Sequence, residues 1–174
     1  MVLSFSDAIP ALLAGAAVIV KPSEVTPRFV DPLQKSINDI PELAGVVTLV
    51  RGGAETGKAM IENVDAIVFT GSIATGRKIA VAAAQAFIPA FLELGGKDPA
   101  VVLAGSDLER AATSILRSAI YNSGQVCYAI ERVYVHESVH DAFIDILVRQ
   151  ARTLKRSTTA GDGGHYGPFI HAPQ

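Results

Sequence analysis

The sequence predicts an α/β fold: a Rossmann-like parallel sheet with helices, followed by the start of a second α/β catalytic domain. Three observations carry this. Short continuous apolar runs over residues 17–20, 46–50 and 66–69 alternate with helical segments, as parallel strands covered on both faces do. Each run ends in a polar turn rich in glycine or proline, the position at which open α/β sheets bind ligands. After Asp98-Pro99 a new strand–helix series begins, because proline pushes its predecessor out of the helical region. The expected division is therefore residues 1–97, part of a nucleotide-binding domain, and residues 98–174, the first part of a cysteine-bearing domain.

In chain order, Ser6 or Asp7 is placed to cap a helix over 6–14 that Gly15 ends. The strand at 17–20 delivers Lys21-Pro22-Ser23-Glu24, a donor and an acceptor able to bracket a ribose diol. A helix starting near Pro27 or Asp31-Pro32 ends by Pro41, and the strand over 46–50 enters a glycine-rich turn at Arg51–Gly53. A short helix covers 58–62. The strand over 66–69 runs into Thr70-Gly71-Ser72 and an alanine-rich helix over 74–86, so that Ser72 and the free N–H groups behind it offer an anion site. A strand over 89–94 ends in Glu93-Leu94-Gly95-Gly96, where the glycine pair lets backbone approach a ligand closely.

The second part opens with a strand over 100–104. Ser106 and Glu109 form an expected capping box for a helix over 108–121 whose apolar face carries Ala111, Ile115 and Ala119. Asn122-Ser123-Gly124 stops that helix ahead of Cys127. A strand over 132–135, a helix over 140–153 and an irregular stretch over 155–174 complete the pattern.

Composition narrows the function. About half of the 174 residues are hydrophobic, charged residues are 18%, and the formal net charge is −2. No basic tract or stripe is present, which argues against a nucleic-acid partner. The apolar stretch over 2–20 lacks a basic leader and is interrupted by Ser4, Ser6, Asp7 and Pro10, so neither a signal peptide nor a membrane span is expected. Cys127 is the only cysteine, which rules out an internal disulfide and fits a reducing, cytoplasmic compartment. His136 and His140 straddle a strand end and a helix start with no cysteine or carboxylate cluster at ligand spacing, so no metal site is expected.

Two groups carry candidate chemistry. Cys127, preceded by Gly124-Gln125-Val126, is a candidate nucleophile. Glu93 is a candidate base that activates water on a covalent acyl intermediate. Taken singly, a lone cysteine is more often a small buried hydrophobe and Glu-Leu-Gly-Gly an ordinary strand and turn.

Together and in this order, Lys21–Glu24, Phe69–Ser72, Leu92–Lys97 and Gly124–Cys127 resemble the motifs of the aldehyde dehydrogenase superfamily, over nearly the whole chain. The resemblance implies oxidation of a small-molecule aldehyde to a carboxylic acid, with Cys127 as nucleophile and Glu93 as base. It implies that Lys21, Ser23, Glu24, Gly71, Ser72, Leu94 and Gly95 contact the dinucleotide, Lys21 and Glu24 at the adenosine ribose and Ser72 at the pyrophosphate. Glu24 repels a 2′-phosphate, so NAD is expected over NADP. The family often has glycine where this chain has Ala54, and asparagine where it has Ala16. It is also far longer and homo-oligomeric, with an oxyanion-stabilising asparagine for which no Asn-Phe-Pro stretch exists here. The chain thus resembles the middle of such an enzyme, expected to be weak or inactive alone. Two other readings stand beside this one. One is a dehydrogenase passing its acyl group to coenzyme A, against which Glu93 argues. The other is a non-catalytic nucleotide-binding fragment.

Overall fold

A computed structural model describes residues 2–159 and 161–170. The chain divides into two compact units, with the boundary in sequence between Leu94 and Gly95. The strands pair as three two-stranded parallel sheets with helices between them, an α/β arrangement of the Rossmann-like kind.

In the first unit the opening segment is two short helices, α1 (Val2–Ser6) and α2 (Ala8–Leu13), where one had been expected. Asp7 joins them in a helical conformation without a side-chain cap bond, and Ser6 donates back to the Leu3 carbonyl instead of capping. Gly15, at φ +86°, ends the segment as expected. Strand β1 (Val18–Val20) pairs with β2 (Val47–Leu49). A 3-10 turn at Pro27–Phe29 and the helices α3 (Val30–Asn38) and α4 (Pro41–Ala44) connect them. Val30, Ile37, Val47 and Leu49 are buried together, with Val18, Val20 and Leu33 packed around them. Gln34 on α3 reaches the edge of β2, where its Oε1 accepts from the Leu49 N–H at 2.6 Å. That bond satisfies a strand donor which would otherwise be left unpaired.

Helix α5 (Ala54–Ile61) begins earlier than the expected 58, directly after the Arg51–Gly53 turn. Strand β3 (Ile67–Gly71) pairs in register with β4 (Ala90–Leu94) through the crossover α6 (Ile73–Ala86). Gly76 brings α6 down onto β4: a Cβ there would lie 2.5 Å from Leu94 Cδ2.

In the second unit β5 (Asp98–Val102) pairs with β6 (Ile130–Val135), and α7 (Leu108–Ile120) and α8 (His140–Ala151) accompany the pair. Asp98-Pro99, expected to precede the strand, is instead its start. A register shift between those two residues accommodates the missing proline N–H. The cap of α7 is Asp107, which accepts from the Arg110 N–H at 3.1 Å. The expected Ser106–Glu109 box does not form. Ser106 Oγ accepts from the Leu103 N–H, and Glu109 pairs with Arg149 and Gln150 of α8. The buried face of α7 is Ala112 and Ile115; Ile115 belongs to the expected stripe, Ala111 packs at its margin, and Ala112 was not foreseen. Phe143 of α8 and Val102 of β5 complete this core.

Among the described residues no helix is long and apolar enough to cross a membrane.

Phe143 is fully buried at the centre of the second core. Phe143→Ala is expected to cost about 3–5 kcal/mol, read as a fall in the denaturant midpoint of the helical signal.

Candidate active site

Strand β1 ends at Val20, and Lys21 follows with its ammonium turned towards the neighbouring strand. Lys21 Nζ donates to the Gly52 carbonyl at 2.9 Å and to the Pro22 carbonyl at 3.1 Å, and it stands 3.7 Å from Glu24 Oε2. The ends of β1 and β2 are thereby tied by one half-buried cation. Gly52 is required there. Its φ is +152°, and a Cβ would lie 1.8 Å from Thr56 Oγ1. A hydrogen bond from its own backbone and the Lys21 charge hold the Glu24 carboxyl below the ordinary glutamate value. Ser23 Oγ accepts from the Val25 N–H at 3.2 Å, which shapes the exposed turn.

At the end of β3, Ser72 caps α6 and accepts from the Thr75 N–H at 3.2 Å. The remaining first-turn N–H groups of a helix have no partner inside it, so this end suits an anion. Leu94 packs its side chain against α6 at Gly76, whereas Gly95 meets nothing within 4 Å of a built Cβ. Glu93 lies on β4 opposite Thr70 and is exposed.

In the second unit the segment from Tyr121 to Gly124 turns left-handed at three successive residues: Asn122 (φ 49°), Ser123 (φ 60°) and Gly124 (φ 76°). This turn presents Cys127, a free and exposed thiol. Among the described residues no group accepts from the Cys127 backbone N–H. Tyr128 stacks on Tyr121 with centroids 6.2 Å apart and, with Arg117 and Ser118, lines a shallow concavity. Gly96 of the Glu-Leu-Gly-Gly stretch lies beside this loop: a Cβ on it would stand 4.0 Å from the Cys127 carbonyl oxygen and 2.9 Å from Asp98 Oδ1. Lys97 forms an ion pair with Glu131 at the start of β6.

Sequence reasoning missed three contributors. Gly52 offers its carbonyl to Lys21, a backbone role that no residue type announces. Ser123 and Gln125 bond across to Gly167–Ile170. The Asn-Ser-Gly run had signalled only a helix stop. Among the described residues no group of three or more histidine, cysteine or acidic side chains could hold a metal.

Two strand–helix units and an exposed thiol characterise the chain, and comparison with known proteins gives the family. The aldehyde dehydrogenase family profile matches residues 1–174. A putative succinate-semialdehyde dehydrogenase [NADP(+)] of Mycolicibacterium smegmatis is 38% identical over 100% of this chain and 34% of its own. Lactaldehyde dehydrogenase of Escherichia coli is 43% identical over 94% of this chain and 35% of its own. The solved structure of putative aldehyde dehydrogenase PutA from Anabaena variabilis superposes with a TM-score of 0.94 at 51% identity, over 98% of this chain and 36% of that one. The chain belongs to the aldehyde dehydrogenase family. It spans about a third of the length of these relatives.

The loop beyond α8 is held by one carboxylate. Asp162 accepts from the N–H groups of Thr158, Thr159 and Gly164 at 2.7, 3.0 and 2.9 Å, and these bonds hold its pKa far below the ordinary aspartate value. A lowered carboxyl stabilises the folded loop above its unfolded pKa, and that contribution is lost only as pH falls towards the folded value. Asp162→Asn is therefore expected to speed hydrogen exchange at those three amides at neutral pH, with little change in α8. Equal exchange in the two proteins would refute this.

Proposed function

We propose that this chain carries the nucleophile, the water-activating base and part of the dinucleotide site of an NAD-dependent aldehyde oxidation. The observation that supports it most is Cys127: a free, exposed thiol following a left-handed turn, with no acceptor for its own N–H among the described residues.

The Cys127 sulfur attacks the aldehyde carbon, forming a C–S bond and a thiohemiacetal whose oxyanion the Cys127 N–H can stabilise. NAD, when bound, supplies the hydride acceptor that turns this adduct into a thioester. Glu93 then takes a proton from water. The water oxygen adds to the acyl carbon, the C–S bond breaks, and a carboxylic acid leaves with the thiol restored. Glu93 favours water over coenzyme A as acyl acceptor, because transfer to a thiol needs no such base. A free exposed thiol also suits a reducing, cytoplasmic setting.

This reading places the dinucleotide on the first unit. Lys21 and Glu24 stand 3.7 Å apart as candidate contacts for a ribose diol, Ser23 shapes their turn, and the α6 N-terminus at Gly71-Ser72 is the candidate pyrophosphate site. Leu94 and Gly95 complete the proposed dinucleotide contacts.

Oxyanion sites use at least two donors, and this chain offers the Cys127 N–H. Its turnover alone is expected to be weak, since one missing donor costs about a hundredfold or more in rate. Mass spectrometry of the chain with NAD and a simple aldehyde is expected to find an acyl adduct on Cys127 and none in Cys127→Ala. Clearance of the adduct should slow by about 10²–10⁴-fold in Glu93→Gln. Adduct formation in Cys127→Ala would overturn the assignment.

Glu24 sets the cofactor preference in this reading. Its lowered pKa keeps it ionised at neutral pH and somewhat below the ordinary glutamate value. Fluorescence titration is expected to show NAD binding more tightly than NADP, with the gap closing in Glu24→Gln. A gap unchanged by that substitution would sink the charge argument.

A further inference from the structure

Cys127 sits in backbone that nothing regular supports. Asn122 and Ser123 both adopt a left-handed conformation, which costs a non-glycine residue free energy and persists only where its surroundings impose it. What imposes it is a segment more than forty residues further on in the chain. Ser123 Oγ accepts from the Gly167 N–H at 2.9 Å and lies 3.1 Å from the Gly167 carbonyl, to which its hydroxyl donates. Gln125 Oε1 accepts from the Ile170 N–H at 2.8 Å, while its Nε2 donates to the Asn122 carbonyl at 3.1 Å. Asn122 Nδ2 returns a bond to the Gln125 carbonyl at 3.2 Å. The segment that grips the turn is itself anchored. Ser157 donates to the Tyr166 carbonyl, His165 donates to the Lys155 carbonyl, and Asp162 holds the loop between.

We propose that Ser123 and Gln125 are positioning residues, which clasp Gly167–Ile170 to fix the left-handed turn so that the sulfur and the backbone N–H of Cys127 face one electrophile together. The proposal rests on the reading of Cys127 as the nucleophile. Neither side chain need touch substrate; both act through the backbone they hold.

Two reactions of the same thiol separate positioning from structure. Alkylation by iodoacetamide displaces iodide at carbon and develops no oxyanion, so it needs the sulfur alone. Acylation by 4-nitrophenyl acetate forms an S–C bond, passes through an oxyanion and breaks the C–O bond to release 4-nitrophenolate, so it needs the N–H as well. The ratio of acylation to alkylation in the purified chain therefore reads the alignment.

Gln125→Ala and Ile170→Pro remove the same bond from its two ends. Each is expected to lower that ratio by about tenfold, as misplacement of a reacting group does, with alkylation little changed. The double variant should lose no more than either single one. Gln125→Glu, which keeps the acceptor for Ile170, should retain most of the ratio. An unchanged ratio in the single variants, or multiplying losses in the double, would overturn the clasp while leaving the nucleophile in place. A parallel fall in both rates with loss of the near-ultraviolet dichroism signal would mark a merely structural role and overturn it too. A wild-type ratio no higher than that of N-acetylcysteine would overturn the nucleophile reading itself, and the clasp with it.

Discussion

Parallel pairing of neighbouring strands decides where the polar motifs of this chain fall. Two parallel strands cannot be joined by a tight turn; the connection must cross back over the pair, and it leaves both carboxyl ends on the same side. In β1 and β2 this puts Lys21 and Gly52 side by side, close enough for a direct bond. In β3 and β4 it sets Gly71 opposite Leu94, so the cap of α6 and the end of the Glu93 strand share one edge. The β5–β6 pair uses its other end. Asp98 faces Ile130 at the start of both strands, and the loops that enter them bring Gly96 beside Cys127. The Gly95-Gly96 stretch runs from the carboxyl end of one pair into the amino end of another.

Close packing transmits that order. Gly76 admits Leu94 into the surface of α6, and a side chain at 76 would have to displace the Leu94 side chain. The seat of α6 fixes Ser72, and the same contact fixes the last residue of β4, next to Glu93. On the other pair Gln34 gives β2 the hydrogen bond that a further strand would supply, so β2 holds its line into the Gly52 turn. In both cases a residue remote from any ligand determines where a candidate ligand contact stands.

The elements were legible in the sequence because apolar runs and punctuation report burial directly. The β-strands were found within a few residues, and the start of α6 at Ser72 was marked by a hydroxyl ahead of an alanine-rich run. Reading failed where two neighbours offered the same chemistry. Ser106 and Asp107 can each cap α7; the carboxylate took the cap, and the hydroxyl turned back to Leu103. Glu109 looked like the other half of a capping box, but Arg149 and Gln150 of α8 outcompete that local bond, and no local pattern foretells α8. Gln125 and Ser123 were invisible as braces for the same reason. Their partners are backbone groups of a stretch that looked irregular, and a backbone N–H carries no residue signature.

The placement of the thiol in irregular backbone has its own chemical logic. A cysteine inside a helix or a strand spends its N–H on the ladder, leaving the sulfur without a donor beside it. At residue 127, between α7 and β6, no acceptor for the N–H stands among the described residues. Such backbone is ordinarily loose, and a loose donor must be reordered at each encounter, which removes much of its value to a developing charge. Left-handed residues and side-chain bonds replace the missing ladder, tying 122–125 to 167–170 without touching the one N–H that must remain available. The requirement for an unused donor and the requirement for a fixed loop are therefore met by different atoms. In the proposed reading, the side chains of Ser123 and Gln125 supply the order and the main chain of Cys127 is left for the oxyanion.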